Sequence, residues 1–277
     1  MFKARVLTGA VLICGVFCLA YLASNLLGLL VFTGMLFLSA LEWGALAGLQ
    51  SFRERLAFSS LLCGMGVFSV FVPVSLFGLS TQYLLGLSSL IIWSVIGVWI
   101  VCYQKHGFPI VRNSFGLCSL GFLVLVPFFL SIVFIWNTQP IKFLALVLIV
   151  SSVDIFAYFG GKTWGRSKFV DRVSPGKTWV GVLTGISGAF VVGNLIFFGL
   201  DEQSSNLWSV FFWNIILICT VFAAILGDLL ESLVKRFGNI KNSGVVLPGH
   251  GGLLDRVDSL CAAAPAFFFS NYIFFGV

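Results

Sequence analysis

Residues 115–136 read FGLCSLGFLVLVPFFLSIVFIW, 22 consecutive positions without a charged side chain. As a helix rising about 1.5 Å per residue, this stretch matches the roughly 30 Å of hydrocarbon in a bilayer. A helix on the surface of a soluble domain keeps one polar face, and this one has none. Working outward, comparable runs fall at 6–23, 26–46, 57–77, 84–103, 143–160, 179–199, 208–226 and 259–276. The chain therefore reads as an all-α polytopic membrane protein of about nine transmembrane helices. Composition agrees: 59% of the 277 residues are hydrophobic, 9% are charged and the mean hydropathy is +1.08, too little polarity to cover a water-soluble domain.

The loops give an orientation. With the N-terminus cytoplasmic, fifteen of the sixteen basic residues fall on the inside and Lys142 alone falls outside. Lys and Arg in short loops set topology in this direction, so the N-terminus is expected inside and the C-terminus outside. The net charge of +6 follows from that asymmetry and from attraction to anionic headgroups, and it calls for no nucleic-acid partner. Lys3 and Arg5 ahead of the first apolar run resemble a secretory signal, but eight further spans favour a retained helix. The seven cysteines lie in or beside apolar runs and read as small apolar fillers. Cys14 and Cys18 share a helix face without the further ligands that zinc needs. With no repeat or long linker, the chain divides into N-terminal transmembrane helices, 1–142, with about five spans, and a second region, 143–277, which carries polar loops at 160–181 and 227–258.

Three polar elements stand out against this apolar background. Glu42 and Trp43 sit inside an apolar run, where an ionisable side chain faces either a cavity or the nearby interface beside a belt aromatic. Asp154, Tyr158 and Lys162 follow at steps of four and line one helix face. The loop GGKTWGRSKFVDRVSPGKTWVG, 160–181, holds five basic residues and five glycines. Its SPGKTW, read as the start of a helix, either cradles phosphate through backbone amides and Lys177 or sets topology with Ser174 as a helix cap before Pro175. It is not a Walker A loop, because Asp171 stands where that motif needs glycine.

The densest element is DLLESLVKRFGNIKNSGVVLPGHGGLLDRVD, 228–258, with eight of the chain's 26 charged residues. If span eight continues as a helix, Asp228, Glu231, Ser232, Lys235 and Arg236 share a face. Pro248–Gly252 then gives a glycine-rich turn around His250, followed by Asp255, Arg256 and Asp258. Hard carboxylate oxygens suit magnesium completed by substrate phosphates, and nearby bases suit the phosphates themselves.

From Ser232 to Asp258 the sequence resembles the C-terminal signature of the phosphatidate cytidylyltransferase (CDP-diacylglycerol synthase) family. Ser232, Lys235, Arg236, Lys241, Pro248, His250, Gly251, Gly252, Asp255, Arg256 and Asp258 match it. Ser174, Pro175, Lys177, Thr178 and Gly181 resemble the family's SPxKTxEG. The chain departs at Asn242, where the family has aspartate, and at Val180, where it has glutamate.

The resemblance implies transfer of a cytidylyl group from CTP to phosphatidic acid, giving CDP-diacylglycerol and pyrophosphate, in phospholipid biosynthesis. It implies Mg2+ on Asp228 and Asp255, with room for a second cation. Lys235, Arg236, His250 and Asp258 complete the implied catalytic set. Ser174, Lys177, Thr178, Ser232, Lys241, Gly251, Gly252 and Arg256 are the implied substrate-binding positions. It further implies membrane lipids as surroundings, a homodimer, and a multi-pass protein of the cell inner membrane with its active site facing the cytoplasm. The competing readings are a CTP-dependent enzyme acting on another lipid, a non-catalytic relative and a transporter. A transporter would place its polar residues near the midplane of a repeat, whereas here they gather at span ends.

Overall fold

The computed structural model describes residues 15, 24–72, 80–107, 111, 113–200, 206–238, 243–244 and 251–276. Eight long helices dominate: α1 (Asn25–Leu46), α2 (Phe52–Phe71), α3 (Thr81–His106), α4 (Ser114–Thr138), α5 (Pro140–Trp164), α6 (Trp179–Leu200), α7 (Leu207–Phe237) and α8 (Leu254–Phe275). All eight are long and apolar enough to cross a membrane. Apart from residue 15, the expected span at 6–23 lies outside the described residues, as do Lys241, Asn242, Pro248 and His250.

Boundaries moved where capping chemistry overrides hydropathy. Helix α2 begins at Phe52 rather than 57, because Ser51 and Glu54 form a reciprocal capping box. Helix α5 runs on to Trp164, so Gly160 and Gly161 are helical rather than part of a loop. A short antiparallel hairpin follows, β1 (Lys168–Val170) and β2 (Ser174–Thr178), with Lys168 opposite Thr178 and Val170 opposite Ser174. SPGKT is thus a strand and not a helix start. The cap of α6 is Thr178, whose Oγ1 accepts from Gly181 N at 3.2 Å; Ser174 stands four residues too early.

The chain forms two compact units of interleaved segments. The first comprises residues up to Thr81, 110–144 and 234–258, and its core is α1 packed on α2 and α4. Hydrocarbon is as apolar as leucine, so helices in a membrane associate through close packing rather than the hydrophobic effect. Here small residues receive rings. Trp136 covers Gly28 and meets Phe32 and Phe143 edge-on. The Trp43 indole lies on Gly121, and its Nε1 donates to Leu117 O at 2.8 Å. Trp43 is therefore a buried bolt between α1 and α4 and not a belt aromatic.

The second unit comprises 82–109, 145–233 and 259–277. Helices α5 and α6 approach until backbone meets backbone. A Cβ on Gly181 would stand 2.9 Å from Ala157 O, and one on Gly185 would stand 2.8 Å from Val153 O. Gly160 likewise has room only for the Thr184 side chain. These glycines serve helix packing, which is why Gly160 and Gly161 need no phosphate to explain them. The hairpin is tied to the end of α3: Gln104 donates to Asp171, Arg172 N donates to Gln104 Oε1 at 3.1 Å, and the Arg172 guanidinium donates to Lys105 O at 3.2 Å.

Helix α7 has 31 residues, about 46 Å at the usual rise. That exceeds the hydrocarbon by about 16 Å, so one end must leave the apolar layer. Its charges, from Asp228 to Arg236, all lie in the last ten residues.

Candidate active site

Within the second unit, α5, β2, the start of α6 and α7 enclose a cavity of about 350 Å³. Asp154, Tyr158 and Lys162 line it from α5, Lys177 and Thr178 from β2, and Asp228 from α7. The helix face read from the spacing of Asp154, Tyr158 and Lys162 thus points into one space with two of the motif residues. Lys177 Nζ forms an ion pair with Asp228 Oδ2, and Ser232 Oγ donates to Asp228 Oδ1 at 3.4 Å. Lys162 Nζ lies 5.6 Å from the Tyr158 ring centroid and 3.5 Å from its hydroxyl. Two ammonium groups and two carboxylates in a concave, partly apolar space suit a polyanion bound with a cation. Ser174 is not among the lining residues; it opens β2, half-buried.

Within the first unit, Asp255 occupies the first turn of α8, where a negative charge meets the helix dipole favourably. Ser243 N donates to both its oxygens at 3.2 and 3.3 Å, Gly252 N donates to Oδ2 at 2.9 Å, and Lys235 Nζ pairs with Oδ1 at 2.5 Å. Both partners of that ion pair are largely buried, at 14% and 13% exposed. Gly251 has φ +84°, a conformation that side-chain-bearing residues adopt only with strain. Arg236 and Arg256 are exposed, and Asp258 is half-buried.

Sequence reading missed three features. Gln104 holds the Asp171 carboxyl below the ordinary carboxylate range, helped by the Arg172 backbone amide and charge; nothing in the polar spacing pointed to it. Each motif aspartate has its own lysine, and the spacing along α7 indicated neither partner. The third is Glu42, buried at 5% exposure. Its carboxylate accepts from Ser243 Oγ at 3.1 Å, Leu253 N at 3.0 Å and Leu254 N at 2.7 Å. Of the two placements open to it, the interior one holds.

The donor chemistry fits magnesium. Asp228 and Asp255 each already hold a cationic group, and magnesium commonly takes one or two carboxylates and fills its octahedron with water and substrate phosphate. A cluster of three acidic, histidine or cysteine ligands is unnecessary, and none occurs among the described residues.

Eight helices long and apolar enough to cross a membrane define a polytopic membrane protein, and its polar residues include two lysine–aspartate ion pairs, Lys177–Asp228 and Lys235–Asp255. Its family is specific: residues 3–274 match the model of the Cytidylyltransferase family, and the chain belongs to that family. It is 31% identical to the phosphatidate cytidylyltransferase of Haemophilus influenzae over 99% of both chains. It is 32% identical to that of Pseudomonas aeruginosa over 96% of both. The Rickettsia bellii phosphatidate cytidylyltransferase is 42% identical over 60% of this chain and 74% of its own.

Proposed function

We propose that this chain is a nucleotidyltransferase that moves the cytidylyl group of CTP onto phosphatidic acid, producing CDP-diacylglycerol and pyrophosphate. The observation that carries the reading is the cavity where Lys177 and Asp228 meet Asp154, Lys162 and Thr178. A phosphate-sized anion finds ammonium groups there, and a cation finds carboxylates.

An oxygen of the phosphatidate monoester attacks the α-phosphorus of CTP, and the bond to the bridging oxygen of the β-phosphate breaks. The nucleophile is already anionic, so the protein's task is positioning and charge neutralisation. Lys177, Lys235, Arg236 and Lys241 clamp the phosphates, and Arg256 extends the basic surface. Ser174, Thr178 and Ser232 supply hydroxyl donors. His250 donates to a phosphate oxygen, and Asp258 orients its neighbours. Magnesium, for which Asp228 and Asp255 are the carboxylates, would neutralise the triphosphate and the departing pyrophosphate; a second cation is part of this reading.

The reading also places the protein in the cell inner membrane with the hairpin, the end of α7 and the start of α8 on the cytoplasmic side, N-terminus inside and C-terminus outside. The charge asymmetry of the loops supports that orientation. Soluble CTP then meets the headgroup while the acyl chains stay among lipids. A homodimer is included on the family likeness alone. The experiment is incubation of purified protein with labelled CTP, Mg2+ and phosphatidic acid. Equal yields of CDP-diacylglycerol and pyrophosphate are expected, and no product across a range of metals would overturn the assignment.

A further inference from the structure

Glu42 is a buried acidic residue to which the proposed reaction gives no role. Two of its three hydrogen-bond donors among the described residues, Leu253 N and Leu254 N, are amides at the start of α8, where a helix has no internal acceptors. An anion there also faces the positive end of the helix dipole. Capping of this kind is normally local, yet Glu42 reaches the Leu253 amide from 211 residues upstream. Its surroundings are shaped to it. A Cβ on either Gly244 or Gly252 would run into the Glu42 carboxylate, so the glycine that closes PGHGG makes room for this side chain. The same short segment carries Asp255, which takes the Ser243 and Gly252 amides and pairs with Lys235.

We infer that Glu42 is a positioning residue: by capping α8 and holding Ser243, it fixes the direction in which Asp255 and its partner Lys235 present their charges, without touching substrate. The inference rests on the proposed reaction. A purely structural role for Glu42 would lower stability alone; a positioning role alters the ligand dependence of each folded molecule.

The test uses the full chain purified in detergent with Glu42→Gln, which keeps the size but turns an amide donor toward groups that are themselves donors. In metal-free protein, amide exchange at Leu253 and Leu254 is expected to accelerate about tenfold while the remainder of α8 is unchanged. In turnover per folded molecule, the half-saturating Mg2+ concentration is expected to rise about tenfold, in line with other supports of metal-binding groups. Ser243→Ala removes one donor and no charge, and is expected to show the same changes to a smaller degree; it carries the test if Glu42→Gln does not fold. Unchanged exchange at the two amides, or unchanged Mg2+ dependence with unchanged turnover per folded molecule, would overturn the inference. If the wild-type protein gives no CDP-diacylglycerol, the reaction assignment fails, and the exchange measurement still decides whether Glu42 holds the start of α8.

Discussion

Glu42 and Asp255 divide the amides of one segment between them: Glu42 accepts from Leu253 and Leu254, and Asp255 accepts from Ser243 and Gly252. Two carboxylates thereby share one set of backbone donors without competing for any. Asp255 is consequently both an expected cation ligand and a structural tie, and substitutions there must separate the two roles. Asp255→Ala removes the acceptor of the Ser243 and Gly252 amides and an ion-pair partner of Lys235, and is expected to cost about 3 kcal/mol of stability, read as lower melting in detergent. Asp255→Asn keeps one acceptor oxygen and should recover much of that stability while remaining inactive. Near-normal turnover in the asparagine variant would remove Asp255 from the metal assignment.

Asp228 presents the cleaner case. Among the described residues its partners are two side chains, Lys177 and Ser232, and it is 27% exposed, so Asp228→Ala should cost little stability. Turnover is expected to fall by roughly 10²-fold or more, as when one charge-stabilising group is removed from a site, with membrane insertion intact. Lys177→Ala should raise the KM for a phosphate-bearing substrate as well. Activity within threefold of wild type in either variant, by steady-state kinetics, would count against the cavity as the site.

The close contact of α5 and α6 predicts a size limit. Gly185→Ala pushes a methyl group toward Val153 O and is expected to destabilise by about 1–3 kcal/mol. Gly199→Ala, in the same helix with nothing near its added Cβ, should be neutral or slightly stabilising because alanine is the better helix former. Thermal unfolding of the two variants side by side reads the difference.

Topology can be read directly at the hairpin. A cysteine placed at exposed Lys168, in a chain whose own cysteines are replaced, should react with a membrane-impermeant thiol reagent in inverted vesicles and stay protected in intact cells. The opposite pattern would invert the proposed orientation.

Asn242→Asp restores the family residue at the departing position and should preserve or raise turnover. A clear loss in the purified assay would show that the asparagine has acquired a role of its own.

The eight helices were legible because a bilayer demands long uninterrupted apolar runs, a signal that survives without knowledge of packing. The face formed by Asp154, Tyr158 and Lys162 was legible for a related reason: helical periodicity is local. The hairpin was not, since strands of three and five residues containing Pro175 and Gly176 carry no alternation to read. The cap at Thr178 was missed because Ser174-Pro175 offers an equally plausible start signal, and only the strand before α6 eliminates it. Lys177–Asp228, Lys235–Asp255 and the donors to Glu42 join residues through tertiary packing, which no spacing rule encodes.

The reach of Glu42 has a consequence for the order of synthesis. Helix α1 leaves the ribosome early, whereas the amides that satisfy its carboxylate lie 211 and 212 residues later. Through most of translation the growing chain therefore carries a carboxylate at the end of an apolar helix without its final partners. The segment bearing Asp255 acquires its cap only when α8 emerges, so completion of the last helix and assembly of that segment are one event. A nascent chain stalled before residue 243 lacks the Ser243, Leu253 and Leu254 donors to the Glu42 carboxylate.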